Sequence, residues 1–210
     1  MKSEGTCEFC GKTVSNTAMA KHLLSCEERK KSIAQDDGYG KAFLIRASAG
    51  PYFIYFEAND SATLNDVDKF LRKVWLECCG HMSQFTINGI NYISSAEGSE
   101  KGMNFRLFAV LKEGLEFSHE YDFGTTTFLK LKVIAERNGR ARGIPILARN
   151  NPPDIKCKCG KPATQVCPEC IYECKAFFCD ACAEEHECGE DMMLPVVNSP
   201  RMGMCGYTGD

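Results

Sequence analysis

The stretch KAFLIRASAGPYFIYFEA, residues 41–58, decides the fold of this 210-residue chain. Two runs of aromatic and β-branched residues lie on either side of Gly50-Pro51, and this pattern predicts a β-hairpin. Residues 41–150 contain the other long apolar runs of the chain. We therefore place the main hydrophobic core in residues 41–150, which are enough for one ordinary domain.

A helix is predicted after this hairpin. Apolar residues recur at helical spacing through LNDVDKFLRKVWLECC, residues 64–79. Thr63 with Asp66 downstream provides an N-terminal cap, and Gly80 is expected to end the helix. The sequence therefore predicts one long helix that packs on a sheet.

The rest of this region predicts further strands. SQFTINGINYIS, residues 83–94, has the pattern of a hairpin about Asn88-Gly89. Residues 117–124 and 125–137 alternate as strands do, and Asn138-Gly139 turns the chain towards GIPILARN, residues 143–150. MNFRLFAVLKEG, residues 103–114, fits a short helix or a strand, and we favour a helix capped by Asn104. The predicted fold class is α+β, with a central sheet, one long packed helix and two small zinc-stapled modules at its flanks.

Two segments of this region, TLNDVDKFLRKVWLECCGHMSQFTINGINY and EFSHEYDFGTTTFLKLKVI, resemble the plasmid pRiA4b ORF-3-like family. That family has a helix after a TL pair, a His-x-His turn into a strand, and a YDFG strand entry. The resemblance covers about residues 41–150, and His81-Met82-Ser83 departs from the His-x-His form. It implies a fold and a bacterial or archaeal cytoplasmic setting, and it implies no catalytic residues.

The cysteines indicate metal binding. Nine of the fourteen lie in the last 54 residues, mostly in close pairs. Such pairs supply zinc ligands, whereas disulfide frameworks belong to small secreted chains. The N-terminal MKSEGTCEFC has no apolar core of a signal peptide, and no apolar run approaches membrane-spanning length. We therefore expect a cytoplasmic protein with zinc and without disulfides.

Residues 1–30 resemble a small zinc finger of the CCHC type. Cys7 and Cys10 lie on a turn assisted by Gly11, and a helix capped by Asn16 is expected to carry the remaining two ligands. The predicted ligands are Cys7, Cys10, His22 and Cys26. Residues 31–40, KSIAQDDGYG, are predicted to form a linker.

Residues 151–210 resemble cross-brace zinc modules of the MYND and B-box kind. The eight ligands form four pairs along the chain. The predicted arrangement places the first and third pairs on one zinc ion and the second and fourth pairs on another. Sequential pairing and a role for Cys174 remain open. The two predicted sites are Cys157, Cys159, Cys179 and Cys182, and Cys167, Cys170, His186 and Cys188. With the finger, the sequence predicts about three zinc ions, all structural, since four protein ligands leave no open position.

Charge indicates the kind of partner. Residues 151–210 carry ten acidic and five basic residues, a composition that disfavours binding to phosphates. A two-stranded ribbon at 129–149 is basic and offers a nucleic-acid contact through Lys130, Lys132, Arg137, Arg140 and Arg142. The sequence thus predicts a non-enzymatic zinc-binding adaptor for an unidentified protein partner. The alternative is a cysteine-dependent enzyme, a thiol redox enzyme or hydrolase, that uses Cys78 with His81, or Cys205.

Overall fold

The structure is a computed structural model that describes residues 3–34, 39–173, 175–189 and 192–209. The chain forms two compact units. The first comprises Met1–Leu71 with Met82–Asn151, and the second comprises Arg72–His81 with Pro152–Asp210. The second unit therefore combines a short segment from the middle of the chain with the cysteine-rich part. The predicted division at 1–30, 31–40, 41–150 and 151–210 stays a prediction.

The first unit is built on one ten-stranded sheet. Its strands are β1 Glu4–Cys7, β2 Thr13–Ser15, β3 Lys41–Ala49, β4 Tyr52–Asn59, β5 Ser83–Ile87, β6 Ile90–Ile93, β7 Lys101–Gly102, β8 Glu116–Tyr121, β9 Thr127–Asn138 and β10 Ile146–Asn150. Their spatial order is β2-β1-β10-β4-β3-β9-β8-β5-β6-β7. Neighbours run antiparallel except β6 and β7, which are parallel. A large mixed sheet with few helices matches the predicted α+β class.

Two predicted hairpins are present. Strands β3 and β4 pair in register from Ala49 opposite Tyr52, on either side of Gly50-Pro51. Strands β5 and β6 are joined by Asn88 and Gly89, whose φ angles are 51° and 76°. Positive φ at both central residues is the requirement of the type I′ turn, which explains why Asn-Gly marks this hairpin in the sequence.

Helices cover opposite faces of the sheet. Successive strand residues point to opposite faces, so the side chains of Tyr55 and Phe56 on β4 lie on opposite faces of the sheet. The Tyr55 hydroxyl donates to the carbonyl of Asn16, the first residue of helix α1, Asn16–Ser25. The ring of Phe56 lies 4.8 Å from that of Phe70 in helix α3, Leu64–Leu71. Helix α2, Glu27–Ile33, follows α1 after a break at Cys26.

The predicted long helix is shorter and less regular than expected. Its cap is confirmed: the backbone N–H and hydroxyl of Thr63 both donate to Asp66 Oδ2 at 2.8 Å. However, α3 is followed by a π-helix, Arg72–Leu76, and the helical part ends there instead of at Gly80. The wider π turn places Trp75 and Leu76, which are adjacent in sequence, in buried positions together.

Two other predicted caps are wrong. Helix α1 begins after Ser15 instead of being capped by Asn16, and it has no side-chain cap. Helix α4, Leu107–Val110, follows Arg106 and also has no side-chain cap, so Asn104 does not cap it. Its first backbone N–H groups donate instead to loop carbonyls at Ala62 and Asp60, which replace a capping side chain.

The second unit contains little regular structure. Three two-residue strands, β11 Gln165–Val166, β12 Phe177–Phe178 and β13 Leu194–Pro195, form a small sheet in the order β12-β11-β13. The second unit also contains the π-helix Arg72–Leu76, a 3₁₀ turn, Ile171–Glu173, and helix α5, Asp180–Ala183. In the described parts of the chain, none of the helices has the length and apolar character needed to cross a bilayer.

Candidate metal centres

The four predicted ligands of the finger lie together at one edge of the large sheet. Cys7 ends β1, and Cys10 lies on the turn after it, where the Gly11 N–H donates to the Cys7 carbonyl. His22 on α1 places Nε2 at 3.4 Å from Cys10 Sγ, and Cys26 follows in the break between α1 and α2. The four ligand atoms lie within 4.8 Å of one another. A small apolar cluster that includes Met19 and Leu23 of α1 packs beside them.

The C-terminal ligands are grouped in the interleaved pattern. Cys157 and Cys159 lie with Cys179 and Cys182, and Cys159 Sγ is 3.6 Å from Cys179 Sγ. The remaining four predicted ligands, Cys167, Cys170, His186 and Cys188, form the next cluster. There Cys170 Sγ lies 3.5 Å from His186 Nε2 and 3.9 Å from Cys188 Sγ. Because the clusters interleave along the chain, two ions would cross-link about 30 residues that have only a small core.

These distances fit a shared ion better than a covalent bond. A tetrahedral zinc ion with bonds of about 2.3 Å to sulfur and about 2.0 Å to nitrogen separates two sulfurs by about 3.8 Å, and sulfur from nitrogen by about 3.5 Å. A disulfide would bring two sulfurs to about 2.05 Å. The observed separations of 3.4–3.9 Å in these three clusters match the edges of the tetrahedron. That these residues bind zinc stays a prediction.

A fourth cluster, which was not predicted from the sequence as a metal site, lies in the second unit. It consists of Cys78, Cys79, His81 and Cys205. The prediction of about three zinc ions therefore has to be corrected to four candidate sites. The local signal was visible, because two adjacent cysteines precede a histidine. The last ligand lies 126 residues beyond Cys79, and no spacing rule connects residues that far apart.

Together the clusters account for every cysteine in the described ranges 3–34, 39–173, 175–189 and 192–209. Thirteen free cysteines lie there, and each belongs to one of the four clusters. Cys174, which the sequence left as an alternative ligand, lies outside the described residues. Three of the four histidines of the chain also belong to clusters. Three clusters therefore consist of three cysteines and one histidine, and the fourth consists of four cysteines, so each has four ligand atoms. This distribution favours metal binding over a scatter of unrelated thiols.

The surroundings of the thiols favour thiolates at selected positions. Backbone hydrogen bonds from Cys159 and Cys179 lower the pKa of Cys157 to about 6. In contrast, hydrogen bonding with Cys205 and then Cys78 raises the pKa of Cys79 to about 12. Closely spaced thiols disfavour a second negative charge, and a divalent cation reverses this effect by neutralising them.

No family model matches the chain, and none of the curated proteins matches it. Among solved structures, the chain is similar to the crystal structure of MM3350, a protein of unknown function from Methanosarcina mazei Go1. The two share 17% identity over 52% of this chain and 68% of that chain, with a TM-score of 0.43. This similarity carries no functional argument, and the resemblance to the pRiA4b ORF-3-like family stays a prediction.

The predicted basic ribbon is not present. Strands β9 and β10 are separated by β3 and β4 in the sheet, so residues 129–149 do not form a two-stranded hairpin. The five basic side chains divide between two surface cavities of the first unit. Lys130 and Lys132 line one cavity, and Arg137, Arg140 and Arg142 line the other.

Two of these five cations also have acidic partners. Arg137 forms an ion pair with the buried Glu57 at 2.7 Å, and Lys132 pairs with Glu116 at 2.8 Å. An ion pair to a neighbouring carboxylate reduces the charge that a phosphate would meet. The observed arrangement is therefore less favourable to phosphate binding than the sequence suggested.

A buried polar group that was not predicted from the sequence lies beneath α3. Asp68 Oδ1 accepts a hydrogen bond from the Ser83 hydroxyl at 2.6 Å and lies 2.7 Å from His119 Nε2. All three residues are buried. Since serine and histidine both contact the carboxylate, the order differs from a Ser-His-Asp relay, in which histidine lies between the other two. This group joins α3 to β5 and β8, and it serves packing of the helix on the sheet.

Proposed function

We propose that this chain is a zinc-binding, non-enzymatic interaction protein whose central region belongs with the pRiA4b ORF-3-like family. The observation that carries the proposal is the assembly of twelve predicted ligands into three clusters of four. The ligand atoms of each cluster lie within 4.8 Å of one another, and the four separations of 3.4–3.9 Å given above match a tetrahedral zinc ion. In each cluster four protein ligands fill the coordination sphere, which suits a structural ion and leaves no position for a substrate.

The role of the ions follows from the small size of the cores beside them. The C-terminal clusters adjoin two small groups of buried apolar residues, one around Val166 and Met202 and the other around Phe178. Such groups cannot compensate the conformational entropy of about 60 residues. Zinc binding contributes about 10–16 kcal/mol in small zinc-dependent modules, so we expect it to supply much of the folding free energy here.

The cleft lined by Arg46, Lys130, Lys132 and Glu116 is the proposed partner-binding surface, and its basic residues outnumber the one acidic residue, which pairs with Lys132. The aromatic side chain of Phe128, which is 45% exposed, lies in the same lining. Exposed aromatic and basic groups together suit an acidic protein segment. They also favour nucleic acid as a second candidate partner, because bases stack on aromatic rings and phosphates pair with cations.

Zinc content tests the first part of the proposal. Cys10→Ser, Cys159→Ser and Cys170→Ser each remove one ligand from a different cluster, and each should lose one zinc per chain by elemental analysis. Cys174→Ser makes the same chemical change at the remaining cysteine and should keep all zinc. The assigned ligands would be contradicted if the wild-type chain, purified under reducing conditions, contained no zinc. A loss of zinc in Cys174→Ser would also contradict them.

The partner surface is tested separately. Binding of a fluorescent single-stranded oligonucleotide should weaken with rising salt, and Lys130→Glu should weaken it further. Lys112→Glu makes the same charge change at another exposed lysine and should not. If neither variant differs from the wild type, or if no binding occurs at low salt, nucleic acid is not the partner of this cleft.

A cysteine-dependent enzyme remains the second candidate, and one observation favours it. His81 Nε2 lies 3.0 Å from Cys79 Sγ and 3.2 Å from Cys205 Sγ, which is the distance of a thiol–imidazole pair. An enzyme requires one of these thiols to react rapidly with an alkylating agent while zinc stays bound elsewhere. The adaptor requires all the clustered thiols to be protected until a chelator removes the metal.

A further inference from the structure

We propose that Cys78, Cys79, His81 and Cys205 form a fourth zinc site, which fastens the C-terminal tail to the loop after the π-helix. The proposal extends the zinc chemistry of the proposed function to residues that the sequence did not assign. It can therefore fail while the other three sites stand. All four residues belong to the second unit.

The separations between ligand atoms support one shared ion. Cys79 Sγ lies 3.7 Å from Cys78 Sγ and 3.6 Å from Cys205 Sγ, close to the sulfur–sulfur edge of a zinc tetrahedron. The two distances from His81 Nε2 to sulfur, 3.0 and 3.2 Å, are shorter than the sulfur–nitrogen edge of about 3.5 Å in a zinc tetrahedron. All four ligand atoms lie within 4.8 Å of one another.

The loop that carries three of the ligands is held by its own hydrogen bonds. Arg72 donates from Nη1 to Glu77 Oε2 at 2.9 Å and from Nη2 to the His81 carbonyl at 2.6 Å. The other carboxylate oxygen of Glu77 accepts the Gly80 N–H at 2.6 Å. These bonds close residues 77–81 into a compact turn that carries the three ligand side chains. Positioning of ligands by surrounding hydrogen bonds is typical of metal sites.

The tail is also held in a defined position. The Ser199 hydroxyl donates to the Trp75 carbonyl at 2.7 Å, which joins the tail to the π-helix a few residues before the ligand loop. Further along, Cys205 has a φ of 48°, in the left-handed region that residues other than glycine rarely occupy. This sparsely populated conformation occurs at the residue whose thiol lies 3.6 Å from Cys79 Sγ and 3.2 Å from His81 Nε2, and backbone strain of this kind is concentrated at binding sites.

Charge gives an independent argument. Arg201 is fully buried, and its Nη2 lies 3.5 Å from Cys78 Sγ. A buried guanidinium is stabilised by a negative neighbour. Three thiolates, one neutral imidazole and Zn²⁺ carry a net charge of −1, which Arg201 offsets.

The ligand set selects the metal. Three thiolates and one imidazole at tetrahedral separations suit Zn²⁺, whereas hard cations such as Mg²⁺ and Ca²⁺ prefer oxygen ligands. With all four positions filled by the protein, the ion would be structural. The competing interpretation is a reactive thiol next to a histidine, and in that case both Cys79 and Cys205 would be accessible to reagents.

The test uses the full chain, purified under reducing conditions with zinc. We expect four zinc ions per wild-type chain by elemental analysis and native mass spectrometry, three in Cys205→Ser, and four in the control Thr208→Ala, which changes the same tail. In the wild type, iodoacetamide should leave Cys79 and Cys205 unmodified until zinc is chelated, as judged by peptide mapping. This second measurement does not depend on folding of the variant.

The outcomes separate the hypotheses. Three zinc ions per wild-type chain, with Cys205 alkylated while zinc is retained, would overturn this proposal; the other three zinc sites would stand, and the cysteine-dependent enzyme would be favoured over the adaptor. If His81→Ala then slowed that alkylation, the cluster would be a thiol–imidazole pair. A wild-type chain without zinc would overturn both this proposal and the proposed function.

Discussion

Replacement of Glu57 by glutamine should destabilise the first unit strongly. The Glu57 carboxylate is buried on β4 and accepts hydrogen bonds from two guanidinium groups. Arg29 of α2 donates from Nη2 at 2.5 Å, and Arg137 of β9 donates from Nη2 at 2.7 Å. Arg29 also donates to the Leu23 carbonyl in α1. Glu57 thus connects the two finger helices to the middle of the sheet.

The magnitude follows from burial. The side chains of Arg29 and Arg137 are 7% and 17% exposed, so removal of the carboxylate charge would leave two cations with little water around them. Breaking a buried ion pair by removing one partner costs about 3–5 kcal/mol. Glutamine keeps one acceptor oxygen, and Arg137 is partly solvated, so we expect about 3 kcal/mol. With a urea m-value of about 2 kcal/mol/M, the midpoint should fall by roughly 1.5 M.

The assay is urea denaturation of zinc-loaded protein, followed by far-UV circular dichroism. The only tryptophan, Trp75, lies in the second unit, so its fluorescence reports that unit separately. Glu116→Gln is the matched control, because it makes the same change in an exposed ion pair and should leave the midpoint unchanged. If Glu57→Gln and Glu116→Gln unfolded at the same urea concentration as the wild type, the argument from burial would be refuted.

Three further outcomes are expected. Leu23→Ala should destabilise the finger by about 2–5 kcal/mol because Leu23 is fully buried, whereas Leu24→Ala, at a side chain 47% exposed, should have little effect in the same denaturation experiment. Hydrogen bonding to the Thr63 backbone lowers the pKa of Asp66, so the ionised carboxylate stabilises the folded state. Asp66→Ala should therefore lower the free energy of unfolding by about 1 kcal/mol at pH values above the ordinary pKa of 3.8, and this difference from the wild type should vanish as pH falls through the lower pKa of the folded state. Equal differences at high and low pH would exclude the capping role. Zinc affinity should fall steeply on acidification, because the four clusters contain thirteen thiols that must lose their protons to bind the metal. Competition with a zinc indicator dye would measure this affinity, and a value that did not change with pH would argue against thiolate ligands.

Local sequence patterns predicted the parts of the structure that depend on neighbours in the chain. The hairpins at Gly50-Pro51 and Asn88-Gly89 and the cap formed by Thr63 and Asp66 follow from turn and cap chemistry within a few residues. Helix ends were predicted less well. Asn16 and Asn104 do not cap, because loop carbonyls and tertiary contacts supply the hydrogen bonds that an isolated helix would need from a side chain.

By itself, the sequence determined which ligands can share an ion when they are close along the chain. The pairs Cys7 with Cys10 and Cys167 with Cys170 are spaced for one turn, and that geometry holds in any fold that includes them. The tertiary structure alone brought Cys205 to Cys78, Cys79 and His81, placed β3 and β4 between β9 and β10, and set Arg137 against Glu57. Contacts between residues far apart in sequence depend on strand order and on the path of the whole chain, and neither is encoded in the spacing of any one motif.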